Sequence, residues 1–296
     1  MILHRAGLAA GLIVWSTSVE AQVAPPAQAQ RPAPQQVAST QPLTTQAVST
    51  VPNAPQQAAV AQHPLIPALE MAKRVQANMD ANLKDYSATI VKHERIDGQL
   101  GDPEYAFVKV RQKPFSVYMK FIGPKSVEGQ ECMYVEGAND NKMFAHAPPG
   151  TLKYKFGTVS LAPTSALAMH NQRYPITEMG VSNLTMRLIE VGEKDKQYGE
   201  CVVHFYQGAK VSGRVCTMIE CVHPVPRRNF LFNVARIYLD DEMQMPIRYE
   251  AYDWPEQQGG DPVLLEEYTY LNVKINQGFT DADFDVHNPN YGFNMK

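Results

Sequence analysis

Long apolar runs, surplus charge and catalytic signatures are all scarce in this 296-residue chain, and each scarcity narrows the functions open to it. After residue 15 no stretch approaches the roughly 20 apolar residues that a membrane-spanning helix needs. Lys and Arg number 27 against 30 Asp and Glu, a formal net charge of -3. Arg227-Arg228 is the only adjacent arginine pair and lies in no basic run, which argues against a nucleic-acid-binding face. No G-x-S-x-G, H-E-x-x-H, P-loop, G-x-G-x-x-G or C-x-x-C motif occurs, so the common hydrolase, nucleotide and thiol-redox signatures are missing.

What is present divides into three parts. Residues 1–21 read as a secretory signal peptide: His4 and Arg5 precede an apolar run over 6–15, and Val19-Glu20-Ala21 offers a small-residue cleavage site. Export to the periplasm or cell envelope is the expectation. No Cys follows the cleavage site, so no lipoprotein acylation signal is seen. Residues 22–64 hold 10 Gln, 10 Ala and 8 Pro among 43, with Arg31 as the only charge and no aromatic. Such a segment cannot bury enough apolar surface to offset the entropy of ordering, and it reads as a disordered linker. Residues 65–296 suit one domain.

That domain opens with Leu65, Leu69, Ala72, Val75, Met79, Leu83 and Tyr86 at spacings of three and four, which predicts an amphipathic helix. The period then becomes two. Alternation predicts strands near 86–90, 105–110, 115–121, 131–136, 142–147 and 152–156, separated by glycines. Helices are predicted over 164–171 and 177–193, and strands resume at 201–206, 215–222, 234–239, 247–253 and 264–275. Residues 240–244 read as a hairpin turn, and Leu265, Thr269, Leu271, Val273 and Ile275 as the buried face of the last strand. The class is α+β: a strongly curved antiparallel sheet of about 10 or 11 strands, an incomplete barrel closed by helices.

Four cysteines in an exported chain invite disulfides. Cys201 and Cys216 on consecutive strands are the favoured pair, which leaves Cys132 with Cys221; the alternative is that some are buried small apolar groups. Cys201, His204, Cys216, Cys221 and His223 resemble a zinc ligand list, but odd separations on a strand send side chains to opposite faces, so no metal site is expected. The same argument separates His93 from Glu94, and Asp240-Asp241 and Glu266-Glu267 read as turn and edge residues. No catalytic residue and no cofactor is assigned. The 13 Met, 14 Tyr and 11 Phe are softer evidence: they serve either a packed core or an adaptable apolar cavity.

The stretches His223-Pro224-Val225-Pro226-Arg227-Arg228-Asn229-Phe230, Ala235-Arg236-Ile237, Asp240-Asp241-Glu242 and 246–255, with 268–272 and Asp283-Phe284-Asp285, resemble an exported bacterial family, domain of unknown function 1571. The resemblance spans about 65–293. More distantly, the order of helix, hairpins, helical insert and hairpins is similar to the periplasmic lipoprotein carriers of the LolA and LppX type and the sensor domain of RseB. That likeness implies a half-barrel holding acyl chains in an apolar cavity. Carriers of this type begin soon after the leader, and the Gln-Pro spacer here departs from them.

Under that resemblance the lining would be Val108, Val110, Val117, Met119, Phe121, Ile237, Leu239, Leu271 and Val273, with Leu69, Met79 and Leu184 on the helices as a lid. Arg227 and Arg228 would meet a lipid head group or a partner carboxylate, against the plainer reading of solvated loop arginines. Arg248 and Glu250 read as a packed ion pair beside Trp254. The implied partner is a lipid or an acylated protein, or else an envelope protein, with at most peripheral membrane association. Three functions compete: a non-enzymatic lipid-binding domain, a packed envelope interaction module, and an envelope hydrolase without a recognised motif. A continuous apolar cavity, a filled core, and converging carboxylates in a polar cleft would separate them.

Overall fold

The structure, a computed structural model, describes residues 62–294. The signal peptide expected at 1–21 and nearly all of the linker expected at 22–64 lie outside the described residues. The linker's last residues are held: His63 Nδ1 accepts the Leu65 backbone N–H at 3.2 Å, and its Nε2 lies 3.0 Å from the Tyr198 carbonyl oxygen.

Helix α1 runs Leu65–Asn82, and buries Leu65, Leu69, Val75 and Met79. Pro67 costs it nothing, because a first-turn N–H has no partner inside the helix anyway. It ends where Asn276 reaches back, donating to the Asn82 carbonyl at 2.9 Å and accepting the Lys84 N–H at 2.8 Å. Strands follow in order: β1 Asp85–Ile96, β2 Gln99–Leu100, β3 Glu104–Arg111, β4 Ser116–Gly123, β5 Glu131–Val135, β6 Met143–His146 and β7 Val159–Leu161. After helix α2, Val181–Asp195, come β8 Val202–Val211, β9 Arg214–Val222, β10 Val234–Asp240, β11 Met245–Asp253 and β12 Val263–Ile275.

These strands form one antiparallel sheet in the order β7-β6-β5-β4-β3-β1-β12-β11-β10-β9-β8, with β2 paired to β1. The sheet is not closed. Its central seam joins β1 to β12, with Tyr86 opposite Ile275 and Glu94 opposite Glu266. Both helices pack on one face of it. Gly192 lets them touch, since a Cβ there would stand 2.8 Å from Leu69 Cδ2. Between helices and sheet lies a filled core that includes Met79, Tyr86, Val108, Val110, Val117, Val181 and Ile247.

The opposite face is covered in part by the C-terminal segment. Asp85 accepts the backbone N–H groups of Gln277, Gly278 and Phe279 at 2.5, 3.1 and 3.2 Å and turns the chain over β3–β6. There Phe284, Val286, Tyr291 and Phe293 pack on Tyr118, Met133 and Phe144, with Tyr291 stacked on Tyr118 at 3.9 Å. Arg111 to Asp281 and Lys109 to Asp283, both at 2.8 Å, tie the segment down.

Several expectations are corrected. Residues 164–171 form turns rather than a helix, and residues 152–156 form a short 3-10 turn, Lys153–Phe156, rather than a strand. The backbone leaves helical geometry at Asn171, φ 58°, and the first segment closes only isolated turns, such as Met169 N–H to the Ser165 carbonyl at 2.9 Å. The second helix starts at Val181, after Gly180 at φ 105°. On β12 the helix-side residues are Glu266, Tyr268 and Tyr270, not Thr269 and Leu271; Asn272, at φ 53°, breaks the alternation and returns Val273 to the core side.

The Cys201–Cys216 bridge is not made: all four thiols are free and buried. The β8–β9 hairpin turns at Ser212-Gly213, further along the chain than that pairing requires, so Ala209, not Cys201, lies opposite Cys216. Cys201 instead shares an apolar cluster with Cys221. No group of three or more His, Cys, Asp or Glu suited to a metal ion occurs among the described residues.

Candidate ligand cavity

Where the filled core ends, a cavity of about 740 Å³ opens between sheet and α2. Most of its wall comes from three structural units, with the turn at Lys153–Phe156 and the loop at Leu231-Phe232 at its edge. Inner-face residues of the sheet contribute Ile90, Met119, Phe121, Cys132, Tyr249 and Tyr268; α2 contributes Leu184, Leu188 and Val191; the turn-rich segment before α2 contributes Ala168, Tyr174, Pro175 and Ile176. The loss of the expected helix at 164–171 matters here, because an irregular segment lies along the rim and leaves the space open. A second hollow, about 80 Å³, lies between α1 and β9–β11.

The residues expected to line a cavity divide accordingly. Met119, Phe121 and Leu184 border the large cavity, while Leu69, Ile237 and Leu239 border the small one. Val108, Val110, Val117 and Met79 are packed in the filled core, with Val273 against it. Leu271 borders neither hollow. Arg227 makes a two-pronged ion pair with Glu200, both contacts at 2.7 Å, on an exposed loop; neither it nor Arg228 borders a cavity. Arg248 and Glu250 pair at 2.5 Å on the far face, within a network that includes Glu267, Arg236 and Glu220. Trp254 stands apart from that pair and donates to the His223 carbonyl at 3.0 Å.

One end of the large cavity is polar, a feature that no local spacing in the sequence foretells. The Tyr268 hydroxyl lies 2.5 Å from Glu94 Oε1 and 3.4 Å from Glu266 Oε2. Glu266 also accepts from Arg173 Nε at 2.9 Å and from the Tyr174 hydroxyl at 3.0 Å. Lys92 Nζ reaches Gln172 Oε1 at 2.7 Å, Glu104 at 3.0 Å and Glu94 at 3.3 Å. Burial pushes the Glu266 carboxyl above the usual glutamate range, Arg173 opposes this, and Glu94 adds to it. The Tyr174 hydroxyl is pushed up to about 12, mainly by burial, so it serves as a neutral donor. Each charge here has an internal partner, which is what a buried polar cluster needs to persist. Glu94 and Glu266 are far apart in sequence, and only the β1–β12 register brings them together.

Cys132, on the cavity wall, has its thiol pushed up to about 12 by burial, with Lys92 opposing. The thiol is therefore held in its protonated, weakly polar form at the cavity wall. No helix among the described residues is long and apolar enough to cross a membrane.

Residues 83–293, most of the chain, match the family described as protein of unknown function DUF1571. The chain belongs to that family. No curated protein sequence matches it. Among solved structures, DUF1571 chain and lipoprotein LppX of Mycobacterium tuberculosis superpose with a TM-score of 0.41 at 15% identity, over 74% of this chain and 100% of that one. A putative outer membrane lipoprotein-sorting protein domain from Vibrio parahaemolyticus gives 0.35 at 13% identity, over 73% and 95%. MucB in the MucA/MucB complex of Pseudomonas aeruginosa gives 0.42 at 12%, over 74% and 60%. These likenesses are distant and concern fold alone.

Proposed function

We propose that this DUF1571 domain is an exported, non-enzymatic binding protein that holds a lipid or protein-linked acyl chain in the large cavity. The observation that carries the reading is the cavity: about 740 Å³ walled mainly by Met119, Phe121, Leu184, Leu188, Val191 and aromatic rings, in the size range of small-molecule sites. Apolar walls of this kind favour a chain of methylenes, each contributing about 0.8 kcal/mol on burial. The polar end, with Arg173, Lys92 and the Tyr174 hydroxyl beside Glu94 and Glu266, suits the carbonyl or hydroxyl end of such a ligand. Its groups already satisfy one another, which supports binding over catalysis. A wholly packed interaction module fits less well, because the core stops short of this space.

The test is native mass spectrometry of the protein purified from an exporting host, followed by organic extraction. Bound lipid that exchanges with added fatty acid is the expected result. A protein that emerges empty and takes up no fatty acid would overturn the reading.

A further inference from the structure

The mouth of the cavity carries a second feature. Leu152 and Phe156, at the two ends of the 3-10 turn, are 78% and 75% exposed, and Leu167 and Leu231 are 58% and 57% exposed. Phe156, Leu167 and Leu231 come from three separate segments, yet all three border the same cavity. Single exposed apolar residues need no explanation, but a set gathered around one opening marks a surface made to be covered.

Charge says what covers it. The turn reads Leu152-Lys153-Tyr154-Lys155-Phe156, two lysines set between two exposed apolar side chains. From residue 142 to residue 177 the chain contains no Asp or Glu at all, while carrying Lys142, Lys153, Lys155 and Arg173. In a chain of net charge -3 this is a local reversal of sign. Apolar tips with lysines beside them match a boundary where hydrocarbon lies under an anionic layer. The turn is also braced from behind: Tyr154 packs edge-on against His146 at 5.6 Å, and His146 in turn against Phe293.

We propose that this rim seats in the surface of a bilayer containing anionic lipid, with Leu152 and Phe156 entering the headgroup layer and Lys153 and Lys155 at the phosphates. The mouth would then open directly onto the membrane. The proposal goes beyond ligand binding and is tested apart from it.

The experiment is flotation of the full chain with vesicles of phosphatidylcholine alone and of equal parts phosphatidylcholine and phosphatidylglycerol. Binding is expected with the mixed vesicles, weakened at high salt. Leu152→Asp and Lys155→Glu, both outside the cavity wall, are each expected to reduce the bound fraction by roughly tenfold. Uptake of a fluorescent fatty acid, measured in the same variants without vesicles, is expected to stay at the wild-type level and shows that they fold. No flotation of the wild-type chain, or flotation that survives Leu152→Asp, overturns the proposal and leaves the rim to a protein partner. Failure of fatty-acid uptake with flotation intact would instead count against the cavity reading alone.

Discussion

Glu94 and Glu266 stand directly opposite each other on β1 and β12, and the Tyr268 hydroxyl lies within reach of both carboxylates. One phenolic proton cannot serve two acceptors, so the hydroxyl binds one and only softens the field at the other. Tyr268→Phe removes that donor and leaves the like charges facing across the seam. The Glu266 carboxyl, already held above the usual range, is expected to rise further. Carbon-13 NMR titration of the side-chain carboxyls reads this; an unchanged Glu266 would show that the hydroxyl does not soften the field at that carboxyl.

A cavity-filling variant tests the binding reading without touching charge. Ala145 borders the large cavity, and Ala145→Phe would occupy the room of several methylenes. Losing three of them costs about 2.4 kcal/mol, or roughly fiftyfold in affinity for a fatty acid. Thermal unfolding is expected to stay close to wild type, since the new ring enters empty space rather than a packed core.

Asp195 gives a pH signature. Its carboxyl is pushed up to about 6 by burial, with Lys194 opposing, and it lies 3.4 Å from His223 Nε2. Because the folded state holds this proton more tightly than the unfolded chain, the stability from the neutral acid is complete below about pH 4 and is lost as pH rises through about 6. His223, whose imidazole burial pushes down, has the opposite slope and costs stability as pH falls. Urea unfolding of wild type and Asp195→Asn across this window is expected to differ by a component on the order of 1 kcal/mol that disappears in the variant.

The C-terminal cover is expected to be structural. The Gly292 N–H donates to Glu131 Oε2 at 3.0 Å, and a Cβ at Gly292 would lie 3.1 Å from both Glu131 Oε1 and His146 Nε2. Gly292→Val should cost about 1–3 kcal/mol by disturbing this buried contact, read as a lower urea midpoint. An unchanged midpoint would mean that the segment lies on the sheet without bearing on it.

Most strands were legible because alternation over β1, β3, β4 and β9–β11 needs only neighbouring residues to be read. The α1 stripe was legible for the same reason. Local pattern fails where tertiary contacts decide. Residues 164–171 hold apolar residues at helical spacing, yet they form successive turns that end at Asn171 with φ 58°. On β12 a single positive φ at Asn272 exchanges the two faces, so alternation counted through it points Leu271 inward, whereas Tyr268 and Tyr270 are the residues on the helix side. An apolar strand residue also does not announce whether it meets another side chain or a void: Val117 is packed and Met119, two residues on, borders the cavity. The Glu94 and Glu266 pairing depends on register across the whole domain, which no local spacing encodes.

The seam between β1 and β12 sets an order of events. Tyr86 is among the first residues of the sheet and its partner Ile275 the last, so the whole sheet separates them along the chain. The hairpins β3–β4 and β10–β11 can pair as soon as they exist, but the centre of the sheet waits for its final strand. In a chain that emerges from its N-terminus the hairpins can therefore form first, and the single sheet, with the cavity it walls, is completed only when the last strand arrives.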